Sequence, residues 1–101
     1  MSGPALLAKL TSKPGERDAI TGVLQKLVDG AEDEPGTLVY ILHHDADDEN
    51  VVWFYERYDS QESFDAHGKS DVMKAVGPEL APFMAGRPEL TFLSVIGGKG
   101  L

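Results

Sequence analysis

Three side chains stand out by type and spacing: Glu56, Tyr58 and His67, all within Val51–Ser70 (VVWFYERYDSQESFDAHGKS). An imidazole can take or return a proton near neutral pH, a carboxylate can fix its tautomer, and a phenol can hydrogen-bond a substrate oxygen. Glu56 and Tyr58 are two apart, so on a strand they share a face. Phe64 and His67 are three apart, so on a helix they share one too. Packed together, strand and helix would bring an acid, a phenol and a base beside apolar surface, with Glu56 fixing the His67 tautomer. Each residue also has a structural reading. His67 would then be a buried, hydrogen-bonded histidine, Glu56 a carboxylate paired with an arginine or capping a helix, and Tyr58 a packed ring. His43 and His44 are adjacent in a strand, point to opposite faces, and read as strand-end surface residues rather than a metal pair.

The elements that must position these groups follow from pattern. Val51–Tyr58 is almost continuously aliphatic or aromatic and reads as a strand. Val52, Phe54, Glu56 and Tyr58 fall on one face; Val51, Trp53, Tyr55 and Arg57 fall on the other. Both faces are largely apolar, so something is expected to pack on each side. Asp59 with Glu62 is a capping-box-like start for the helix that follows, with Ser60 as the rival cap. Upstream, Ala5–Leu10 reads as a short strand. Pro14, Glu16 and Asp18 suit the start of a helix, in which Ile20, Val23, Leu24, Leu27, Val28 and Ala31 recur over about four turns. Glu34-Pro35-Gly36 marks a turn, Thr37–His44 a second strand, and Asp45–Asn50 a polar hairpin loop. Downstream, Lys69-Ser70-Asp71 marks a break. Val72, Met73, Val76 and Leu80 continue a helical pattern that Gly77-Pro78 is expected to kink or interrupt. Pro82, Phe83 and Met84 form a turn, Glu89–Ile96 a fourth strand, and Gly97–Leu101 a tail.

The order is β-α-β-β-α-β, the ferredoxin-like α+β arrangement: one four-stranded antiparallel sheet with helices on one face. A single domain is expected, with its core over about residues 5–98. Two helical regions can cover one side of such a sheet. The other side would expose Val39, Ile41, Val51, Trp53 and Tyr55, or their neighbours of opposite parity. At roughly 1.5–3 kcal/mol per large apolar side chain, that is on the order of 10 kcal/mol of unrealised burial. The figure rivals the whole stability of a small domain. A patch of that size marks an interface, so a homodimer through the sheet face is expected.

Composition narrows the classes further. The chain has 101 residues, no cysteine and a net charge of −8. Disulfide, thiolate-zinc and cysteine-nucleophile chemistry are therefore excluded. The acidic field repels phosphate backbones and anionic membranes, so neither nucleic acid nor a membrane surface is an expected partner. No apolar run reaches the roughly 18 residues of a membrane span, and MSGPALLAKL lacks the features of a signal peptide, so a cytoplasmic location is expected. The runs Glu32-Asp33-Glu34 and Asp45, Asp47-Asp48-Glu49 read as solvated loops; DADDEN lacks the ligand spacing of a calcium loop. No phosphate loop, nucleophile elbow, HExxH or facial metal triad is present, and no metal site is expected. Phe54, Phe64, Met73 and Phe83 read first as core, yet with Tyr40 they could equally line a cavity for an aromatic ligand.

KPGERDAI, EPGTLVYILHHD, VVWFYERYDSQESFDAHGKSDVM and LTFLSVIGG resemble the antibiotic biosynthesis monooxygenase family, including its small quinol monooxygenase-like members. The resemblance runs from about Ala5 to Gly98 and is most specific at Glu56, Tyr58, Ser60, Phe64, His67 and Ser70. It implies a dimeric α/β barrel of ferredoxin-like protomers with a pocket in each between sheet and helices. It also implies oxidation of a small aromatic or quinol substrate by O₂ with neither flavin nor metal. The deprotonated substrate would then be its own electron donor, and the protein would supply a base, a dry cavity and hydrogen bonds. In that frame His67 is the base or proton shuttle, Tyr58 a hydrogen-bonder to substrate oxygen, and Glu56 an orienting support. Phe54, Phe64, Met73, Phe83 and Tyr40 would contact substrate. Haem-degrading members use an Asn on the first strand, a Trp and a His. Here ALLAKL has no Asn, Tyr58 stands in the Trp position and Gly77 in that of the His, so haem degradation is not expected. The position after Ser70, often His or Pro in quinol-type members, is Asp71. Many members have no demonstrated activity, and a non-catalytic dimer holding an aromatic metabolite in the same pocket is the alternative.

Overall fold

The computed structural model describes residues 3–101; Met1 and Ser2, which begin the N-terminal stretch read above, lie outside the described residues. The elements are β1 (Ala5–Thr11), α1 (Arg17–Ala31), β2 (Thr37–His44), β3 (Val51–Tyr58), α2 (Gln61–Gly68), α3 (Asp71–Leu80) and β4 (Glu89–Leu93), with a 3₁₀ turn at Ala81–Phe83 after α3. The strands form one antiparallel sheet in the order β2-β3-β1-β4. This is the ferredoxin-like arrangement, with α2 and α3 together filling the place of its second helix.

Local sequence explains the boundaries. Gly15 enters α1 with a φ of +79°, a left-handed conformation that glycine adopts without steric cost. Its N–H donates to Asn50 Oδ1, and Arg17 donates to the carbonyls of Asp45 and Asp48, so the start of α1 is tied to the β2–β3 loop. Ile20, Leu24 and Leu27 are the buried face of α1, at the three- and four-residue spacing of a helix packed on one side. Ser60, not Asp59, caps α2 by accepting from the Ser63 N–H; Asp59 accepts instead from the Ser60 and Ser63 hydroxyls. Ser70 caps α3 through the Met73 N–H, which accounts for the break between the two helices.

Three expectations are corrected. Pro78 does not interrupt α3, which runs on to Leu80 because Val76 and Leu80, on either side of it, are both buried. The fourth strand stops at Leu93 rather than Ile96. Leu93 pairs with Ala5, the first residue of β1; the next position is Pro4, which has no N–H to offer, and Ile96 is fully exposed. Val51 is buried rather than exposed, since the Asp45–Asn50 loop folds back and bonds to both its N–H and its carbonyl. Leu38 is exposed because the β2–β3 register shifts between Thr37 and Val39, removing it from the alternation of Tyr40 and Leu42.

Side-chain alternation sorts the two faces. Leu6, Ala8 and Leu10 of β1 lie beside Glu56, Phe54 and Val52 of β3, and the helices pack over this face. The core comprises Ala8, Leu10, Ile20, Leu24, Leu27, Val52, Phe54, Val76 and Leu80, with Tyr40, Met73 and Phe83 packed against it. The opposite face carries Val39, Ile41, Trp53, Tyr55 and Leu7, and Ile41 is 50% exposed there. Helix cover is also incomplete on the first face. Leu90 and Phe92 of β4, opposite Ala8 and Leu6, are 51% and 56% exposed. Among the described residues no helix is long and apolar enough to cross a membrane.

Candidate functional site

Strand β3 and helix α2 bring Glu56, Tyr58 and His67 together. All three are buried, at 6%, 1% and 4% exposure. The Tyr58 hydroxyl donates to Glu56 Oε1 at 2.6 Å. The His67 ring lies 5.5 Å from the Tyr58 ring and 4.8 Å from that of Tyr40, whose residue sits directly across β2–β3 from Glu56. These contacts belong to a longer series of rings. Tyr58 meets Phe64 edge-on at 5.2 Å, Phe64 meets Phe92 at 5.6 Å, and Tyr40 stacks on Phe54 at 4.5 Å. Ring-to-ring contacts therefore run from the exposed Phe92 through Phe64, Tyr58, His67 and Tyr40 to the buried Phe54.

The expected partnership of His67 with Glu56 is replaced by another. His67 Nδ1 lies 2.8 Å from Glu34 Oε1, and the same oxygen accepts from the Thr37 hydroxyl at 2.7 Å. Glu56 Oε1 holds the Tyr58 hydroxyl instead. Glu34, assigned above to a solvated acidic loop, is partly buried because the turn leading into β2 folds against α2. Gly36 makes that approach possible: a Cβ there would collide with the Ser63 hydroxyl. Sequence reasoning missed Glu34 and Thr37: their turn directly precedes a strand whose first residue pairs with Tyr58, a register that the fold supplies. His67 Nε2 is buried and has no hydrogen-bond partner among the described residues.

The electrostatics are those of a partly dry site. Burial raises the Glu56 carboxyl above its ordinary range, against the lowering effects of the Tyr58 hydrogen bond and of His67. Burial likewise raises the Tyr40 and Tyr58 phenols, helped by the charge of Glu56, so both remain protonated donors. By contrast, Asp45 is held below its usual range by the Asp48 N–H and the Trp53 indole, so this acidic loop is a braced turn. A raised folded-state value makes Glu56 cost stability as pH climbs from the ordinary carboxylate range through that value. Glu56→Gln keeps an oxygen for Tyr58 and carries no charge. It is expected to be more stable than the wild type at about pH 7 and to lose that advantage near about pH 4. Paired denaturant titrations check this; an equal difference at both pH values contradicts it.

The clefts do not coincide with the aromatic cavity expected from the sequence. One of about 320 Å³ lies beside His67, lined by Glu34, Gly36, Thr37, Ser63, Ala66 and Ser70 among others, with no aromatic ring apart from the imidazole. Another of about 370 Å³ lies at Phe92, between Gln61 of α2 and the residues after β4. Phe54 is closed into the core, Met73 and Phe83 pack against that core, and Phe64 bridges Tyr58 and Phe92. Phe92 was not singled out from the sequence, where it reads as an ordinary strand residue.

The profile described as antibiotic biosynthesis monooxygenase matches residues 5–78. No curated protein matches the chain. Among solved structures, the fold is similar to a candidate antibiotic biosynthesis monooxygenase of Caulobacter crescentus CB15, with TM-score 0.88, 30% identity, and 95% of this chain and 92% of that one covered. It is also similar to one of Chloroflexus aurantiacus J-10-fl, with TM-score 0.82, 31% identity and 98% of each chain covered. Rv0793 of Mycobacterium tuberculosis shares the fold at 22% identity, with TM-score 0.88 over 98% of this chain and all (100%) of that one. A profile matched over most of the chain, and the same fold in these relatives, place the β3–α2 cluster in a known frame: the chain belongs to the antibiotic biosynthesis monooxygenase family.

Proposed function

We propose that this protein is a cofactor-independent monooxygenase that oxidises a small aromatic or quinol compound with O₂, and that it works as a homodimer joined through its open sheet face. The observation that carries the reading is His67: a buried imidazole with one nitrogen unpartnered among the described residues, set in a series of aromatic rings that reaches the surface at Phe92. The substrate enters from the Phe92–Phe64 side, where helix cover is missing. His67 takes the proton of its hydroxyl at Nε2, and the electron-rich anion then reacts with O₂. The balance needs no external reductant. Hydroquinone and O₂ yield hydroxyquinone and water, the substrate supplying all four electrons. Tyr58, held protonated, offers a hydrogen bond to substrate oxygen when it releases Glu56, and Glu56 steadies Tyr58 in the resting site. Tyr40 and Phe64 supply apolar surroundings in which such hydrogen bonds strengthen, and Phe54, Met73 and Phe83 form the core behind them.

The test is O₂ consumption by flavin- and metal-free protein with a panel of hydroquinones. Saturable uptake above the rate of autoxidation is the expected result. Stoichiometric binding of every compound with no uptake would identify a non-catalytic module that holds aromatic metabolites.

A further inference from the structure

We infer that Glu34 is the positioning residue for His67, holding the imidazole with its proton on Nδ1 so that Nε2 remains a buried acceptor for the O–H group of an aromatic ligand. This rests on the reading of His67 as the ligand-facing group. Glu34 is itself held firmly. Its N–H donates to the Ala31 carbonyl at the end of α1, its carbonyl accepts from the Thr37 N–H, and its Oε1 accepts from the Thr37 hydroxyl. An oxygen of an ionised carboxylate can only accept, so the nitrogen 2.8 Å away must be the donor. In the neutral imidazole that makes Nδ1 the protonated nitrogen and leaves the lone pair on Nε2. From the other end, the His67 carbonyl accepts from the Ser70 N–H and hydroxyl, anchoring the backbone that carries the ring.

The free nitrogen sets the ligand chemistry. Nε2 is the ring nitrogen turned away from Glu34, is buried, and has no partner among the described residues. A lone pair in that position accepts from a hydroxyl and gains nothing from an ether or carbonyl oxygen. The rings flanking the imidazole, Tyr40 and Tyr58, favour a flat apolar body on that hydroxyl. A phenol meets both demands; its methyl ether, anisole, meets only the second. The titratable groups facing His67 are two carboxylates and two phenols: Glu34, Glu56, Tyr40 and Tyr58.

The experiment is a long-range ¹H–¹⁵N correlation of the histidine rings in the full-length protein at about pH 8, above the ordinary imidazole range, with His67 assigned through His67→Gln. The expected wild-type spectrum shows Nδ1 protonated and Nε2 bare. Glu34→Ala is expected to abolish that preference and Thr37→Val to weaken it. Phenol is expected to shift Nε2 and anisole to leave it in place. A proton on Nε2 in the wild type, or a tautomer unchanged in Glu34→Ala, would overturn the assignment to Glu34, and the wild-type spectrum decides this even should the variants fail to fold. Equal responses to phenol and anisole, including no response to either, would overturn the ligand chemistry. Loss of O₂-dependent turnover with these signatures intact would count against the oxygenase reading alone.

Discussion

His67→Ala is expected to lower the rate of O₂-dependent oxidation by about a hundred- to ten-thousand-fold, the range that a positioned general base contributes. Under the proposed mechanism the loss is expected on kcat more than on KM, because the imidazole would act on the departing proton while the flanking rings would hold the aromatic body. The residue is 4% exposed and its ring is bonded to Glu34, so the variant also loses stability. His67→Gln, closer in size, separates the two effects: it should melt nearer the wild type and remain slow. Steady-state O₂ uptake beside thermal melts makes the check. Wild-type rates in a folded His67→Ala protein would remove the imidazole from the reaction.

Ile41→Glu is expected to convert a dimer into monomers. Ile41 is half exposed on the sheet face that no helix covers, beside Val39, Trp53 and Tyr55. A carboxylate buried in an apolar interface costs on the order of 2 kcal/mol or more, and two-fold symmetry counts the cost twice. The dimer Kd should therefore rise by roughly a thousandfold. The protomer's own core lies on the other side of the sheet, so its folding is expected to survive. Sedimentation at micromolar concentration reads the outcome directly. A wild-type mass near the 10.9 kDa of one chain, or equal masses for wild type and variant, would contradict the interface.

Much of this architecture is legible in the sequence because its signals are local. Val51–Tyr58 and Thr37–His44 carry dense apolar and β-branched runs, and α1 carries a clean helical stripe, so element type and order follow from periodicity. The convergence of Glu56, Tyr58 and His67 follows from parity on β3 and spacing on α2. What was not legible is the choice among competing partners. Glu56 sits near both Tyr58 and His67, and only the fold shows that Tyr58 takes its oxygen. Glu34 lies in an acidic stretch whose composition says solvent, while the close approach at Gly36 draws its side chain inward. The end of β4 was hidden for a related reason: Leu93–Ile96 is apolar enough for a strand, but β1 runs out at Pro4 and offers nothing to pair with.

The proposed activity is tested most directly by supplying ¹⁸O₂ to the flavin- and metal-free protein with hydroquinone and reading the product mass before exchange with water. One labelled atom in the organic product and the other in water is the predicted result. An unlabelled product formed at the autoxidation rate would contradict it.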